Sequence, residues 1–518
     1  MRHTARLSLV VLVAALGGCG WVEDWHGWGS GTGGGGGGGT TNPPAAPTIA
    51  ITAPADGTSV YGSRTIAVTG TVSGTGIQSV TVALNGGTAA AATVSGTTFT
   101  AEVTLADRAN TVVASVTASG GSASATAQVT YPFVSLVTFQ TAETVIGQAD
   151  ASHGNPNQGA IVAAANTIAT PVGAAAFDGT HLFVPDSGNN RVLAFTGIPA
   201  ADGAQASYAI GQGAFDQVAP SVGARGLNTP QTIRTAGTKL LVLDYMNYRV
   251  VIYDPIPGGF DSGGLGAAAV MAVGAKSLDD QGTASCSSDG LAPESMFVVG
   301  DKLIVGDSAN NRVLIWNSIP VAFLTPPDLV LGQDNSDGMF DTCGMNAGGI
   351  SAASMNYPTD IWSDGTRLFV ADAGNNRILG WSTFPTASHA PADLVLGQTD
   401  FGQGGPGLSS GTLNYPYSLT SNGNQLFVAD WQNNRVLVWN TLPTACGPPP
   451  LPPCPPPNVV LGQGSFDLGA ANDDNQDGTQ DTVPSGRTLN IPAGVLLLDD
   501  ALVVTDGGNS RFLVFGAQ

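Results

Sequence analysis

Leu368-Phe369-Val370-Ala371-Asp372-Ala373-Gly374-Asn375-Asn376-Arg377-Ile378-Leu379 is the stretch that decides how most of this chain folds. Two apolar runs flank a short polar turn. Asp and Asn side chains bond backbone N–H groups in tight turns, and Asn tolerates left-handed backbone. The segment therefore reads as two antiparallel strands joined by a tight turn. The pattern Asp, two residues, Asn, one residue, Arg occurs six times. The copies begin at Asp186, Asp244, Asp307, Asp372, Asp430 and Asp506.

Two further markers keep step with it. An apolar run ends in Gly-Gln at Gly147-Gln148, Gly211-Gln212, Gly332-Gln333, Gly397-Gln398 and Gly462-Gln463, with Gly274-Ala275 as a degenerate copy. A proline opens the next run at Pro171, Pro230, Pro293, Pro358, Pro416 and Pro492. Each unit thus reads proline and strand a, strand b ending in Asp, strand c after Arg, strand d ending in Gly-Gln. The first Gly-Gln precedes any unit, and the last unit stops after strand c at Gln518. Val145-Ile146 should therefore supply the missing d strand of the last unit. That leaves no open sheet edge. Residues 133–518 are expected to form an all-β, six-bladed propeller.

The copies at Leu368–Leu379 and its five sisters resemble the NHL repeat, and the resemblance spans the whole C-terminal region. It implies the same six-bladed fold. The repeated Asp, Asn and Arg recur in every blade, so they are assigned to building blades rather than to chemistry.

Function is expected where the repeats differ. Strands alternate in direction, so the b–c turns and the long d–a loops share one face, the usual place for binding on a rigid scaffold. Tyr245, Tyr248 and Trp431 interrupt the b–c turns there. Tyr357, Tyr415 and Tyr417 flank the prolines where the chain enters the central channel. These six rings are the candidate contacts for a protein, peptide or glycan ligand. Packing between loops is the plainer use of the same rings.

One d–a loop carries a metal signature. Asp473-Asp474-Asn475-Gln476-Asp477-Gly478-Thr479-Gln480-Asp481 resembles the calcium loops of dockerins and thrombospondin type 3 repeats. The resemblance implies Ca²⁺ as a cofactor, held by Asp473, Asn475, Asp477, Asp481 and the Thr479 carbonyl. Pro484 stands where such loops carry a twelfth-position acid. Propeller relatives also include a zinc-dependent amidating lyase and calcium lactonases. Here His153, His181 and His389 fall on different loops. The positions following the prolines offer one acid, Glu294, with Asp360 one strand further round.

The N-terminus reads as an address. Arg2 and Arg6 precede the apolar run Leu7–Leu16, and Leu16-Gly17-Gly18-Cys19 resembles a lipobox. The resemblance implies a signal peptide over 1–18, acylation of Cys19 and membrane anchoring through that lipid. Gly20 favours the outer membrane. Residues 19–46 include seven successive glycines from Gly33 to Gly39 and read as a flexible tether.

Residues 47–132 alternate apolar and polar residues in about seven short strands, which suits an Ig-like sandwich. Pro47–Thr58, Val68-Thr69-Gly70-Thr71-Val72 and Val80–Gly86 resemble bacterial Ig-like domains of the glucodextranase domain B type. Cys286, Cys343, Cys446 and Cys454 remain for disulfides. The loop positions favour Cys286–Cys343 and Cys446–Cys454 among the three pairings. The net charge of −21, from 38 acids and 17 bases, argues against nucleic acid.

The chain therefore reads as a cell-envelope binding or scaffold lipoprotein. The rival readings are a metal-dependent propeller enzyme of lyase or lactonase type and a structural spacer.

Overall fold

The computed structural model describes residues 44–260, 266–333, 343–444, 446–447 and 452–518. The expected signal peptide, Cys19 and almost all of the tether lie outside the described residues. Within them, every regular element is a strand or a single 3-10 turn. Among the described residues, no helix is long and apolar enough to cross a membrane.

The first domain packs two sheets face to face. One orders Thr48–Ala53, Thr65–Ser73, Thr98–Thr104 and Thr93–Ser95. The other orders Thr58–Ser59, Gly121–Tyr131, Arg108–Ala118, Ile77–Leu84 and Ala90–Ala91. Alternate residues point inward, as period-two sequence requires. Phe99, Ala101 and Val103 are buried, while Thr98, Thr100, Glu102 and Thr104 face water. With Val68, Val82, Val112 and Val116 they form one core. Seven strands are expected and nine are present. The excess comes from two- and three-residue edge pieces too short to show an alternation.

The rest of the chain forms six four-stranded antiparallel sheets. In the fourth, Pro358–Ser363, Leu368–Asp372, Arg377–Trp381 and Leu394–Leu396 are strands a to d. The b–c hairpin closes at the pair Asp372↔Arg377. The last blade takes its d strand from Thr144–Ile146, which pairs antiparallel with Arg511–Gly516 through Thr144↔Val514, Val145↔Leu513 and Ile146↔Phe512. The ring closes where the motif order requires.

The uninterrupted apolar runs of strands b and c have a physical cause. Each blade is buried on both faces, so successive side chains enter different cores. Leu240 packs with Phe183 and Val192 of the first blade, while Leu241 packs with Met296 and Leu303 of the third. Six such inter-blade cores run round the ring.

Two inner strands depart from the expected start at proline. The third begins at Ser295, two residues after Pro293. The first is only Ala176–Phe177. There Gly173 has φ +84°, and a Cβ on it would lie 2.7 Å from the Thr232 amide nitrogen. Only glycine permits that turn and that approach of blade one to blade two.

The Ig-like domain meets the a–b turn of blade five. Asn424 Oδ1 accepts from the Gly62 amide at 2.6 Å, and its Nδ2 donates to the Pro132 carbonyl at 2.9 Å. Gln425 exchanges two hydrogen bonds with the backbone of Val134, at 2.7 and 3.0 Å. By strand direction this turn lies on the face opposite the b–c turns.

Candidate functional site: the propeller mouth

The repeated Asp-Asn-Arg triplet is structural. In all six blades the Arg Nε meets the Asp Oδ2 at 2.6–2.8 Å, with both side chains fully buried. In blade four, Asp372 also accepts from the Asn356 amide at 2.7 Å and from Asn375 Nδ2 at 2.8 Å. Arg377 donates to the carbonyls of Ser351 and Ser354 at 2.9 Å each, in the loop entering its own blade. It also donates to the Phe401 carbonyl at 2.6 Å, in the loop leaving it. The planar fork of donors ties two long loops to one turn. Gly-Gln acts beside it. Gln398 Nε2 donates to the carbonyls of Asn376 and Gly405 at 2.9 and 2.8 Å.

The residue after the conserved turn Asn has a second role that the sequence reading missed. Asn190, Asn311, Asn376 and Asn434 sit in left-handed backbone at the end of the 3-10 turn, with φ between 49° and 54°. Their side-chain oxygens reach the next blade and accept the amides of Thr229, Tyr357, Tyr415 and Ile491 at 2.8–3.0 Å. Each acceptor's partner immediately precedes a proline and is itself left-handed, with φ from 53° to 57°. That conformation is costly for β-branched and aromatic residues. The neighbouring blade's Asn holds it in place. The doubled Asn in Asn-Asn-Arg was the available signal.

These strained residues ring the channel mouth. Three of them, Tyr357, Tyr415 and Ile491, border a cavity of about 430 Å³, whose lining includes Tyr417 and Trp431 beside the two tyrosines and Pro171, Val172, Ala493, Gly507 and Gly508 beside Ile491. The rings are contiguous. Tyr415 lies 5.2 Å from Trp431, 6.4 Å from Tyr357 and 6.5 Å from Tyr417, centroid to centroid, and Tyr417 lies 5.6 Å from Trp431.

Glu294 lies beneath the rings, 6% exposed. Tyr357 Oη donates to its Oε1 at 2.5 Å and Tyr417 Oη to its Oε2 at 2.7 Å. The Tyr245 hydroxyl lies near the same carboxyl. With its amide turned so that nitrogen faces the acid, Gln231 donates to Oε2 at 2.9 Å. Burial pushes the Glu294 carboxyl up, and the tyrosine hydrogen bonds oppose that shift. Burial, and then the Glu294 charge, push Tyr415 up to about 12. Four of the six ring candidates thus line the mouth, and Tyr245 lies near Glu294 outside that lining. Tyr248 is not among the residues lining the cavity. It occupies the turn position that Asn holds in four blades and Ser510 in the sixth.

Below the mouth, Asp360 and Arg234 cross the channel at 3.5 Å. Asp360 also accepts from Ser418 Oγ at 2.6 Å and the Leu419 amide at 3.0 Å. Both channel acids are therefore engaged by protein donors. The three propeller histidines are spread out: His153 bonds Asp150, His181 bonds Asp178, and His389 bonds the Gln333 carbonyl. Among the described residues, no three His, Cys, Asp or Glu side chains converge as a metal centre requires.

The acidic loop is built on its own backbone. Asp473 accepts the amides of Asp477 and Gly478 at 3.1 and 2.9 Å, and Asn475 accepts that of Asp477 at 2.9 Å. Asp477 accepts the Thr479 amide at 2.9 Å, and Asp481 accepts that of Asp474 at 3.0 Å. Cys286 and Cys343 form a disulfide between the loops entering blades three and four. Cys446 and Cys454 form another within the c–d loop of blade five.

Residues 47–127 match the family model described as a bacterial Ig domain. No curated protein matches the chain. Among solved structures, a modular endo-β-1,4-mannanase from Cellulomonas fimi is 31% identical over 16% of this chain and 18% of that one, with a TM-score of 0.15. An engineered protein is likewise 31% identical, and the chain spans 20% of its length. The chain thus spans about a fifth of these two relatives. BamB from Moraxella catarrhalis is 12% identical, covering 72% of this chain and 96% of that one, with a TM-score of 0.31. The PQQ-bound aldose sugar dehydrogenase from Streptomyces coelicolor is 12% identical, covering 69% and 97%, with a TM-score of 0.35. The bacterial Ig domain is followed by a propeller whose assignment rests on the six closed sheets.

Proposed function

We propose that this chain is a lipid-anchored binding module of the bacterial cell envelope, with a propeller of NHL type that takes its ligand at the aromatic mouth. One observation carries the reading: four contiguous aromatic rings border a cavity of about 430 Å³ on the face of the long loops. Pockets of this size and lining are the usual form of a ligand site. Rigid rings lose little entropy on binding, which makes them effective anchors. The bacterial Ig domain contacts the a–b turn of blade five through Asn424, on the face opposite the b–c turns by strand direction.

The full-length chain should retain defined ligands on an array of glycans, peptides and small molecules. Trp431→Ala should weaken retention at least tenfold, as loss of a central aromatic anchor does. If retained ligands bind the Trp431→Ala chain equally well, the mouth is not the site.

The anchor is a separate part of the proposal. It is supported by the basic residues, short apolar run and Cys19 of the N-terminus. Cys19→Ser should abolish incorporation of a palmitate analogue and release the chain from membranes. Labelling that persists in the Cys19→Ser chain would remove the lipoprotein reading.

A further inference from the structure

The mouth has a charge pattern that narrows the ligand. Among the described residues thirteen line the cavity, and none is Lys, Arg or His. Glu294 is the one carboxylic acid among them, and three neutral donors, from Tyr357, Tyr417 and Gln231, already bond it. Such donors stabilise a carboxylate without neutralising it, since none carries a positive charge. Four aromatic rings, Tyr357, Tyr415, Tyr417 and Trp431, border the same cavity, and the face of an aromatic ring carries the negative side of its quadrupole.

We propose that this mouth is a receptor for an organic ammonium cation of trimethylammonium type, seated against the Tyr415, Tyr417 and Trp431 rings with Glu294 as its counter-charge. The inference rests on the reading of the mouth as the ligand site and specifies its ligand.

Other ligand chemistries fit the walls less well. A sugar needs many directed hydrogen bonds. Here the Tyr357 and Tyr417 hydroxyl protons are committed to Glu294. The facing wall of Pro171, Val172, Ile491, Ala493, Gly507 and Gly508 is apolar, and Thr170 beside it adds a single hydroxyl. An anion meets a buried acid and no base. A neutral apolar body would fill the space but make no use of Glu294. A methylated ammonium satisfies both features: its methyl groups pack on ring faces and apolar wall, and its charge faces the rings and the acid. It also needs no hydrogen-bond donor from the protein.

Choline and tetramethylammonium are the probes, titrated against the full-length chain by Trp fluorescence and calorimetry in a detergent free of ammonium groups. The neutral carbon isostere of choline, 3,3-dimethylbutanol, has the same shape without the charge. Choline and tetramethylammonium should saturate one site, and the isostere should bind at least tenfold more weakly. Glu294→Gln keeps the size and acceptor oxygen but removes the charge. It should lower choline affinity at least tenfold while leaving isostere binding within twofold. Phosphocholine-bearing vesicles, set beside free choline, distinguish a lipid headgroup from a free solute as the source of the cation.

Equal binding of choline and the isostere would overturn the cation inference while leaving the mouth a ligand site. Absence of choline binding, with Trp431-dependent retention of an array ligand, would do the same. If neither probe binds and no array ligand depends on Trp431, the reading of the mouth as a ligand site falls as well. Should Glu294→Gln not fold, the choline–isostere comparison on the unaltered chain decides the matter alone.

Discussion

Arg377→Ala should lower the unfolding free energy of the propeller by about 3–5 kcal/mol, the usual cost of breaking a buried ion pair from one side. The substitution leaves the fully buried Asp372 carboxylate without its cation. It also strips a hydrogen-bond donor from the carbonyls of Ser351, Ser354 and Phe401. Arg377→Lys should recover little of the loss. A single ammonium on a flexible stem cannot reproduce a planar fork aimed at a carboxylate and two separate loops. Replacing the pair jointly, Asp372→Leu with Arg377→Met, should not restore stability either, although such swaps succeed at isolated pairs. Here the Asn356 amide and three carbonyls would still lose their partners. Denaturant unfolding followed by Trp fluorescence measures all three variants. An Arg377→Ala chain within about 1 kcal/mol of the parent would mean that the clamp contributes no more than an exposed pair does.

The second large effect concerns closure. A chain beginning at residue 133 should fold as a propeller, whereas one beginning at residue 151 should aggregate. The segment between them supplies Thr144–Ile146 to the last blade and buries Val134, Leu136, Val145 and Ile146, each at 7% exposure or less. At about 1.5–3 kcal/mol per buried apolar side chain, that is about 6–12 kcal/mol, comparable to the whole stability of a domain. Its loss would also bare the strand Arg511-Phe512-Leu513-Val514-Phe515-Gly516, an apolar edge ready to pair with another chain. Light scattering and the thermal midpoint of the two truncations give the comparison. Equal solubility and equal midpoints would refute the role of the early strand in closing the ring.

Blade number and closure were legible because both depend on the order of markers along the chain. Asp372-to-Arg377 spacing, Gly-Gln and the entrance prolines recur locally, and each occurrence carries the same geometric meaning. The mouth was legible only in part. Tyr357, Tyr415 and Trp431 could be placed on a face from strand direction. The gathering of Tyr245, Tyr357 and Tyr417 on Glu294 could not, because the partners lie in different blades, up to 123 residues apart. Their meeting depends on the ring radius, which no local pattern encodes. Tyr248 drew notice by its unusual identity in the turn, and the structure places it at the end of the blade-two 3-10 turn, outside the cavity lining. The acidic loop was read from its resemblance to calcium loops, and its local shape comes from Asx turns that any such Asp and Asn spacing can form.

The bond from each turn Asn to the next blade's pre-proline amide has a consequence for adaptability. The scaffold grips a backbone group, and that bond makes no demand on the side chain of the residue it holds. Thr229, Tyr357, Tyr415 and Ile491 are held in the same way although their side chains include a hydroxyl, an aliphatic chain and two phenol rings. The mouth therefore behaves like a set of type slots in a printing frame, each accepting a different letter while the frame stays locked. Exchanging side chains at these positions would rewrite what the propeller selects without renegotiating how it folds, and redesign of its selectivity would begin there.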